Sequence, residues 1–304
     1  MNIYDILSVS QNDIEKLLLD KENQYLSYPI AKRHGKATRW IDAPQEELKG
    51  VQETILNKLL YRYMVHPNCV GFVRGKNVTD GARQHLGSVQ LLNMDLKNFF
   101  GTINQGRVSK LLTFLFTRYK KIIDAKFKFT AHDVRLIAEL VTFKGRVPQG
   151  APTSPAISNL CCNNLDRALT ELARKNKCLY TRYADDMSFS TQQSSKQFDI
   201  GKLIKQVIAF VEKEQFKVNY KKTRIQRQHN RMTVTGVVVN EKLSTPKWYW
   251  RNFRAKLHNL VVGQIPVNYE EYQEIRGVAE WIKMLHPTRG EKFLSMIGKL
   301  NLAF

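Results

Sequence analysis

Cysteine is scarce and acidic residues are outnumbered. The 304 residues include only four cysteines, Cys69, Cys161, Cys162 and Cys178, none of them in a Cys-x-x-Cys pair, and the seven histidines are scattered. Neither a disulfide framework nor a structural zinc site is expected. No apolar run reaches the roughly 18 residues that a membrane-spanning helix requires. The N-terminal Met1-Asn2-Ile3-Tyr4-Asp5 has no basic leader ahead of an apolar stretch. Secretion is therefore not indicated, and the reducing cytoplasm is the expected location. Repeats, low-complexity tracts and Pro/Gly-rich linkers are also lacking, so the parts are expected to pack as one body. With 43% hydrophobic residues the chain can bury a sizeable core, and the length allows one large domain or two to three modest ones.

The deficit of acid leaves a large positive charge. Against 48 Lys and Arg stand 27 Asp and Glu, a net charge of +21. Such a charge calls for a polyanionic partner, of which nucleic acid is the commonest and an anionic membrane surface the competitor. Between Lys217 and Asn259 the only acid is Glu241, while Trp248, Tyr249, Trp250 and Phe253 are interleaved with basic residues. That pattern suits single-stranded or folded RNA, whose bases stack while its phosphates are neutralised. A solvated basic face over core aromatics is the other reading.

Apolar spacing predicts helices over the first residues and over 48–59, with a hairpin from Tyr28 to Pro44 between them. A short buried strand is expected at Val89–Asp95, and helices over 108–119 and 132–143. One amphipathic helix should start at Pro155 and run past Leu172. Two strands should flank Ala184-Asp185-Asp186, a helix should cover 204–211, and a strand pair 232–239. From Thr245 the pattern is helical to the end. The sum is an α+β core with an all-α tail.

The sharpest chemical signal is Tyr183-Ala184-Asp185-Asp186 between two strands. Adjacent carboxylates in a tight turn repel each other unless cations lie between them, although Asp also favours ordinary turns. Asp95 ends the strand Leu91-Leu92-Asn93-Met94-Asp95, an awkward place for an acid unless it serves a site or caps the next helix. Asp95 and Asp185 on adjacent strands would make a hard oxygen cage suited to Mg²⁺. Two such ions stabilise the attacking and leaving oxygens of phosphoryl transfer.

Met94-Asp95-Leu96-Lys97-Asn98-Phe99-Phe100, the segment Val147 to Pro155 around Pro148-Gln149-Gly150, and Tyr183-Ala184-Asp185-Asp186 occur in the order and spacing of reverse transcriptases. Tyr180-Thr181-Arg182-Tyr183-Ala184-Asp185-Asp186, the Pro-Gln-Gly-Ala-Pro segment and Val234-Thr235-Gly236 resemble bacterial retron reverse transcriptases. The likeness runs from about Tyr28 to the C-terminus. Group II intron and diversity-generating enzymes share much of this set. A noncatalytic RNA-binding protein is a further alternative, which the presence of all three carboxylates disfavours.

The resemblance implies a right-hand-like polymerase of α+β class. Fingers and N-terminal helices would occupy 1–90, and a palm with an antiparallel sheet 91–240, with a fingers insertion at about 105–150. An all-α, RNA-binding thumb would occupy 241–304. Asp95, Asp185 and Asp186 would be the catalytic carboxylates, holding two Mg²⁺ ions (or Mn²⁺) with the Leu96 carbonyl, and Asp186 more peripheral. Phe100 would be the gate that excludes a 2′-hydroxyl, unless it is a core aromatic beside Phe99. Gln149 would touch nucleotide or template. Lys32 and Arg39 would clamp the triphosphate, unless they are a solvated hairpin face. Lys222 would line the nucleotide or primer site, with Lys221 equal on spacing.

For RNA, His85 is a candidate contact, in a Gly81-Ala82-Arg83-Gln84-His85 stretch where the family has Asn at the first position. A satisfied structural histidine is the alternative. Val234, Thr235 and Gly236 would face RNA or primer, or simply form a tight turn. Lys247, Arg251, Arg254 and His258 share one helix face and would meet RNA phosphates, while Trp250, Phe253, Leu257 and Leu260 share another, offset face. The implied partners are a cognate structured noncoding RNA, the DNA copied from it, dNTPs and a separate effector protein, with no membrane. The implied product is a branched RNA–DNA hybrid that serves in antiphage defence, its template RNA removed by a separate nuclease.

Overall fold

The computed structural model describes residues 2–31, 38–194 and 196–304. In chain order, α1 (Ile3–Leu7) and α2 (Gln11–Leu19) precede a hairpin of β1 (Tyr25–Ala31) and β2 (Thr38–Pro44). Then come α3 (Glu46–Lys58), α4 (Val78–Gln84), β3 (Gln90–Asp95), α5 (Phe99–Thr102), α6 (Gln105–Ile122) and α7 (Ala131–Leu140). Next are α8 (Ser154–Cys161), α9 (Asn163–Lys175), β4 (Leu179–Tyr183), β5 (Asp186–Thr191) and α10 (Ile200–Lys213). The short strands β6 (Arg224–Arg227), β7 (Thr233–Val234) and β8 (Val237–Val238) lead to α11 (Lys247–Val262), α12 (Tyr269–Leu285) and α13 (Pro287–Ile297). Hydrogen bonds order four of the strands as β4-β5-β3-β6.

The chain divides into two compact units: Met1–Asn77, Met94–Met187 and Asp199–Thr223 in the first, and Val78–Asn93, Ser188–Phe198 and Arg224–Phe304 in the second.

In the first unit, the antiparallel β1–β2 hairpin sets Tyr28 opposite Ile41 and Ile30 opposite Arg39. Its link to the segment after α7 needs a residue without a side chain. The Asp42 N–H donates to the Gln149 carbonyl at 2.7 Å, and a Cβ on Gly150 would fall 2.8 Å from Ile41 and 2.9 Å from the Asp42 carbonyl oxygen. Gly150 also has φ +129°, a region open to glycine. The amphipathic stretch from Pro155 is two helices rather than one. α8 ends at Cys162, whose N–H donates to the Ser158 and Asn159 carbonyls, and α9 starts at once.

Asp166 lies on the buried face of α9, between Leu165 and Leu169. Its partner is Arg182 in β4, and both side chains are fully buried. The guanidinium uses all five of its N–H groups. It binds Asp166 with two parallel bonds, Nε to Oδ1 at 2.8 Å and Nη2 to Oδ2 at 2.6 Å. It also donates to Asn159 Oδ1, the Ala184 carbonyl and Cys69 Sγ. Tyr180 adds a hydroxyl bond to Asp166. Helices α8 and α9 are thereby locked to the strand that leads into the Asp185 turn.

In the second unit β3 pairs antiparallel with β6, Leu92 opposite Ile225. One core packs Phe253, Leu257 and Leu260 of α11 against Ile275, Ala279 and Ile282 of α12 and Phe293 and Ile297 of α13. A second gathers Ala82, Leu91, Met232, Val234, Val237 and Val239. His85 belongs to this interior. It is fully buried, its Nδ1 lies 2.7 Å from Ser190 Oγ, and burial pushes its imidazole down to about 4. In this setting it is a hydrogen-bonded interior histidine, the structural one of the two readings left open, and its ring offers no surface to RNA.

Two outcomes are expected. Asp166→Ala strands a buried guanidinium and should lower unfolding stability by about 3–5 kcal/mol, read from urea denaturation midpoints. A change below about 1 kcal/mol would contradict the account of this pair. His85 has a folded pKa below its unfolded value, so its contribution is present at neutral pH and is lost as pH falls from about 6.5 toward 4. The loss should amount to about 3 kcal/mol in thermal or chemical melts, and His85→Asn should flatten that part of the pH profile.

Candidate active site

Strand β3 delivers Asp95 at its last position, and a two-residue turn, Ala184-Asp185, joins β4 to β5. Ala184 is in the left-handed region, φ +54°, an uncommon conformation for a residue with a Cβ. The Arg182 Nη1 bond to its carbonyl, 2.9 Å, holds it there from inside the fold. The Leu96 N–H donates to the Asp185 carbonyl at 3.0 Å, and the Asn219 N–H to the Asp95 carbonyl at 2.7 Å. These main-chain bonds set the two acidic positions side by side within the first unit. Leu96 itself is buried.

The carboxyl groups of Asp95 and Asp185 interact directly. Burial, and then the charge and hydrogen bonding of Asp95, raise the Asp185 carboxyl above its ordinary range. Asp95 is 3% exposed. One of its oxygens accepts from Asn219 Nδ2 at 3.0 Å, and the other from Lys222 Nζ at 2.6 Å. Partial burial pulls the Lys222 ammonium down, but its bond to Asp95 and the charges of Asp95, Asp185 and Asp186 hold it above its usual value. The ammonium is a single positive charge where two carboxylates repel each other. The donor set, hard carboxylate oxygens of Asp95 and Asp185 brought side by side, fits a divalent ion such as Mg²⁺. Asp186 is exposed at the start of β5. Among the described residues no three His, Cys, Asp or Glu side chains form one metal-binding group, so the close grouping is the Asp95–Asp185 pair with Lys222.

Around this pair stand aromatic rings. Phe99 is buried against Phe216, ring centres 5.8 Å apart, whereas Phe100 is only partly buried. Phe99 is thus the core residue of the two. Phe100 lies 6.5 Å from Phe72, which lies 5.9 Å from Tyr183. Phe72 escaped the sequence reading, although its place after a glycine in Val70-Gly71-Phe72 is a signal for a close backbone approach. Asn219 and the Arg182–Asp166 pair escaped it too. Gln149 is half-buried, its carbonyl bonded to β2, and Arg39 is exposed on β2. Lys32 lies outside the described residues. Between Lys221 and Lys222, it is Lys222 that bonds to Asp95.

In the second unit Val234 is buried in the core, while Thr235 (φ +47°) and Gly236 (φ +86°) form the two-residue turn from β7 to β8. Two positive φ angles in sequence fit a type I′ hairpin turn. Gly236 is exposed and Thr235 partly so. On α11, Lys247, Arg251, Arg254 and His258 are all exposed, opposite buried Phe253, Leu257 and Leu260. Half-buried Arg289 of α13 stacks on Trp250, its guanidinium 4.1 Å from the ring centre.

Residues 30–239 match the family model described as reverse transcriptase (RNA-dependent DNA polymerase). Retron Ec83 reverse transcriptase of Escherichia coli is 32% identical, the match covering 99% of this chain and 96% of that protein. Retron Ec86 reverse transcriptase of the same species is 27% identical over 99% of this chain and 89% of its own length. Retron Mx162 reverse transcriptase of Myxococcus xanthus is 32% identical over 93% of this chain, which spans only 62% of that relative. For another Myxococcus relative, retron Mx65 reverse transcriptase, the share is 64%. Among solved structures, apo telomerase from Candida tropicalis superposes with a TM-score of 0.50 at 14% identity, over 96% of this chain and 64% of that one. That likeness concerns the fold alone and agrees with an α+β polymerase architecture. The matched family model, together with the full-length similarity to a curated retron enzyme, shows that this chain belongs to the reverse transcriptase family, in its retron branch.

Proposed function

We propose that this chain is the RNA-directed DNA polymerase of a retron, copying part of its own structured noncoding RNA into single-stranded DNA that stays linked to the RNA. The observation that carries the reading is the Asp95–Asp185 pair, two interacting carboxyls with Lys222 Nζ 2.6 Å from one of them. In this reading residues 1–90 are fingers and N-terminal helices, 91–240 the palm with an insertion near 105–150, and 241–304 the thumb. Asp95, Asp185 and the more peripheral Asp186, with the Leu96 carbonyl, would hold Mg²⁺. The ions supply charge neutralisation on the attacking and leaving oxygens of nucleotidyl transfer.

The chain's own residues do the positioning, which dominates phosphoryl transfer. Asn219 and the Leu96 N–H fix the carboxyl-bearing backbone. Lys222, bonded to Asp95 at 2.6 Å, would line the nucleotide or primer site and neutralise charge there. Phe100 blocks a 2′-hydroxyl and so selects deoxynucleotides. Gln149 meets nucleotide or template at the turn that Gly150 brings against β2. Arg39, with Lys32, neutralises the triphosphate. The α11 face of Lys247, Arg251, Arg254 and His258 binds an RNA stem through phosphates, and Thr235-Gly236 is a second contact. A branched RNA–DNA product, an effector protein and a role in antiphage defence follow from the retron assignment.

Asp185→Asn should reduce Mg²⁺-dependent dNTP incorporation by at least about 10²–10³-fold while leaving RNA affinity unchanged; retained synthesis would sink the polymerase reading. Nucleic acid purified with the protein should be a small RNA covalently branched to single-stranded DNA, and linear RNA alone would point to another small bacterial reverse transcriptase. Replacing Arg251 and Arg254 by Gln should weaken RNA binding evenly across sequences. It should also flatten the dependence of log affinity on log salt by about 0.9 for each stem phosphate left without its arginine.

A further inference from the structure

The backbone of Phe72 has φ +58°, a region that bulky side chains avoid. The residue is nevertheless 45% exposed, and its ring contacts are with Tyr183 and Phe100. The surroundings impose the conformation. The Val70 N–H donates to the Arg182 carbonyl at 2.9 Å, and the Gly71 carbonyl accepts from the buried Asn159 side chain at 2.8 Å. A Cβ on Gly71 would fall 2.6 Å from the Ala184 nitrogen. This segment is therefore pressed against the strand end that carries the Asp185 turn, and the left-handed step at Phe72 sets the direction of its ring.

The Phe72 ring lies beside both Tyr183, 5.9 Å away, and Phe100, 6.5 Å away, tilted by 47° to each, and Phe99 lies 5.3 Å from Phe100. Phe99 is anchored in the core through Phe216. Phe100 thus has one buried neighbour ring and one exposed one. A ring that rejects a substrate for a single extra hydroxyl must not rotate aside, because the discriminating contact is worth only as much as the ring resists displacement. Strain kept at an exposed aromatic beside such a ring fits a functional constraint rather than a packing one.

We infer that Phe72 is a selectivity residue that acts through Phe100: its ring is the outer stop that keeps the sugar gate in place and so helps exclude ribonucleotides. The inference rests on the reading of Phe100 as that gate.

The test compares kcat/KM for a dNTP and the matching rNTP on an RNA template with a DNA primer, using the full chain. Phe100→Ala is the control and should admit ribonucleotides. Phe72→Ala and Phe72→Gly should each lower discrimination by about 2- to 10-fold, the range an aromatic pair supplies. The change should appear in KM for the rNTP, with kcat for the dNTP retained, and Phe72→Tyr should keep wild-type selectivity. Phe72→Gly should also melt at a higher temperature than Phe72→Ala, because glycine relieves the left-handed strain that alanine keeps. Unchanged discrimination in both Phe72 variants, with selectivity lost in Phe100→Ala, would overturn this inference and leave the gate standing. Unchanged discrimination in Phe100→Ala would overturn the gate itself and the inference with it.

Discussion

Two carboxyl groups of like charge, Asp95 and Asp185, are held against each other at the end of β3 and the β4–β5 turn. Burial first, and then the charge of Asp95 beside it, raise the Asp185 carboxyl above its ordinary range. The fold does not relieve the conflict by moving the groups apart. It fixes both backbones with main-chain bonds from Leu96 and Asn219 and sets the Lys222 ammonium against one of them. Two such carboxyls side by side are the arrangement that the proposed divalent-ion site requires. The rest of the first unit can be read as support for this arrangement.

That support is layered. Immediately behind the turn, the buried Arg182–Asp166 pair ties the Ala184 carbonyl to α8 and α9, so that the turn is part of the helical framework rather than a free loop. Beside it, Gly71 lets a second segment approach within contact distance of Ala184. In front of it, aromatic rings run from core Phe216 through Phe99 and Phe100 to Phe72 and Tyr183. The second unit has a different physical character. Its three terminal helices bury one apolar core and turn a row of cations to solvent, which suits a phosphate-bearing partner bound through charge.

Much of this was legible from residue order. The carboxylate positions, the glycine of Pro-Gln-Gly and the split of α11 into basic and apolar faces all follow from short spacings, because local chemistry dictates them. What escaped depended on contacts between distant segments. Asp166 and Arg182 look like ordinary surface charges in a helix and a strand, and only their mutual burial gives them meaning. The one clue is that Asp166 falls on the apolar stripe of α9. Likewise, the helix expected from Pro155 onward has unbroken apolar spacing, yet it breaks at Cys162, next to a turn whose Asn159 serves both Gly71 and Arg182. His85 could be read either way until its surroundings were seen. Phe72 carries no pattern beyond the glycine before it, since a backbone angle has no signature in composition.

The central claim is that Asp95 and Asp185 together hold a divalent cation. The most direct measurement is a titration of the free protein with Mn²⁺, following bound metal by electron paramagnetic resonance. The account predicts saturable binding that Asp95→Asn or Asp185→Asn each weakens at least about tenfold, and that Lys222→Gln strengthens by removing the competing ammonium. Equal binding in the wild type and both aspartate variants would contradict it.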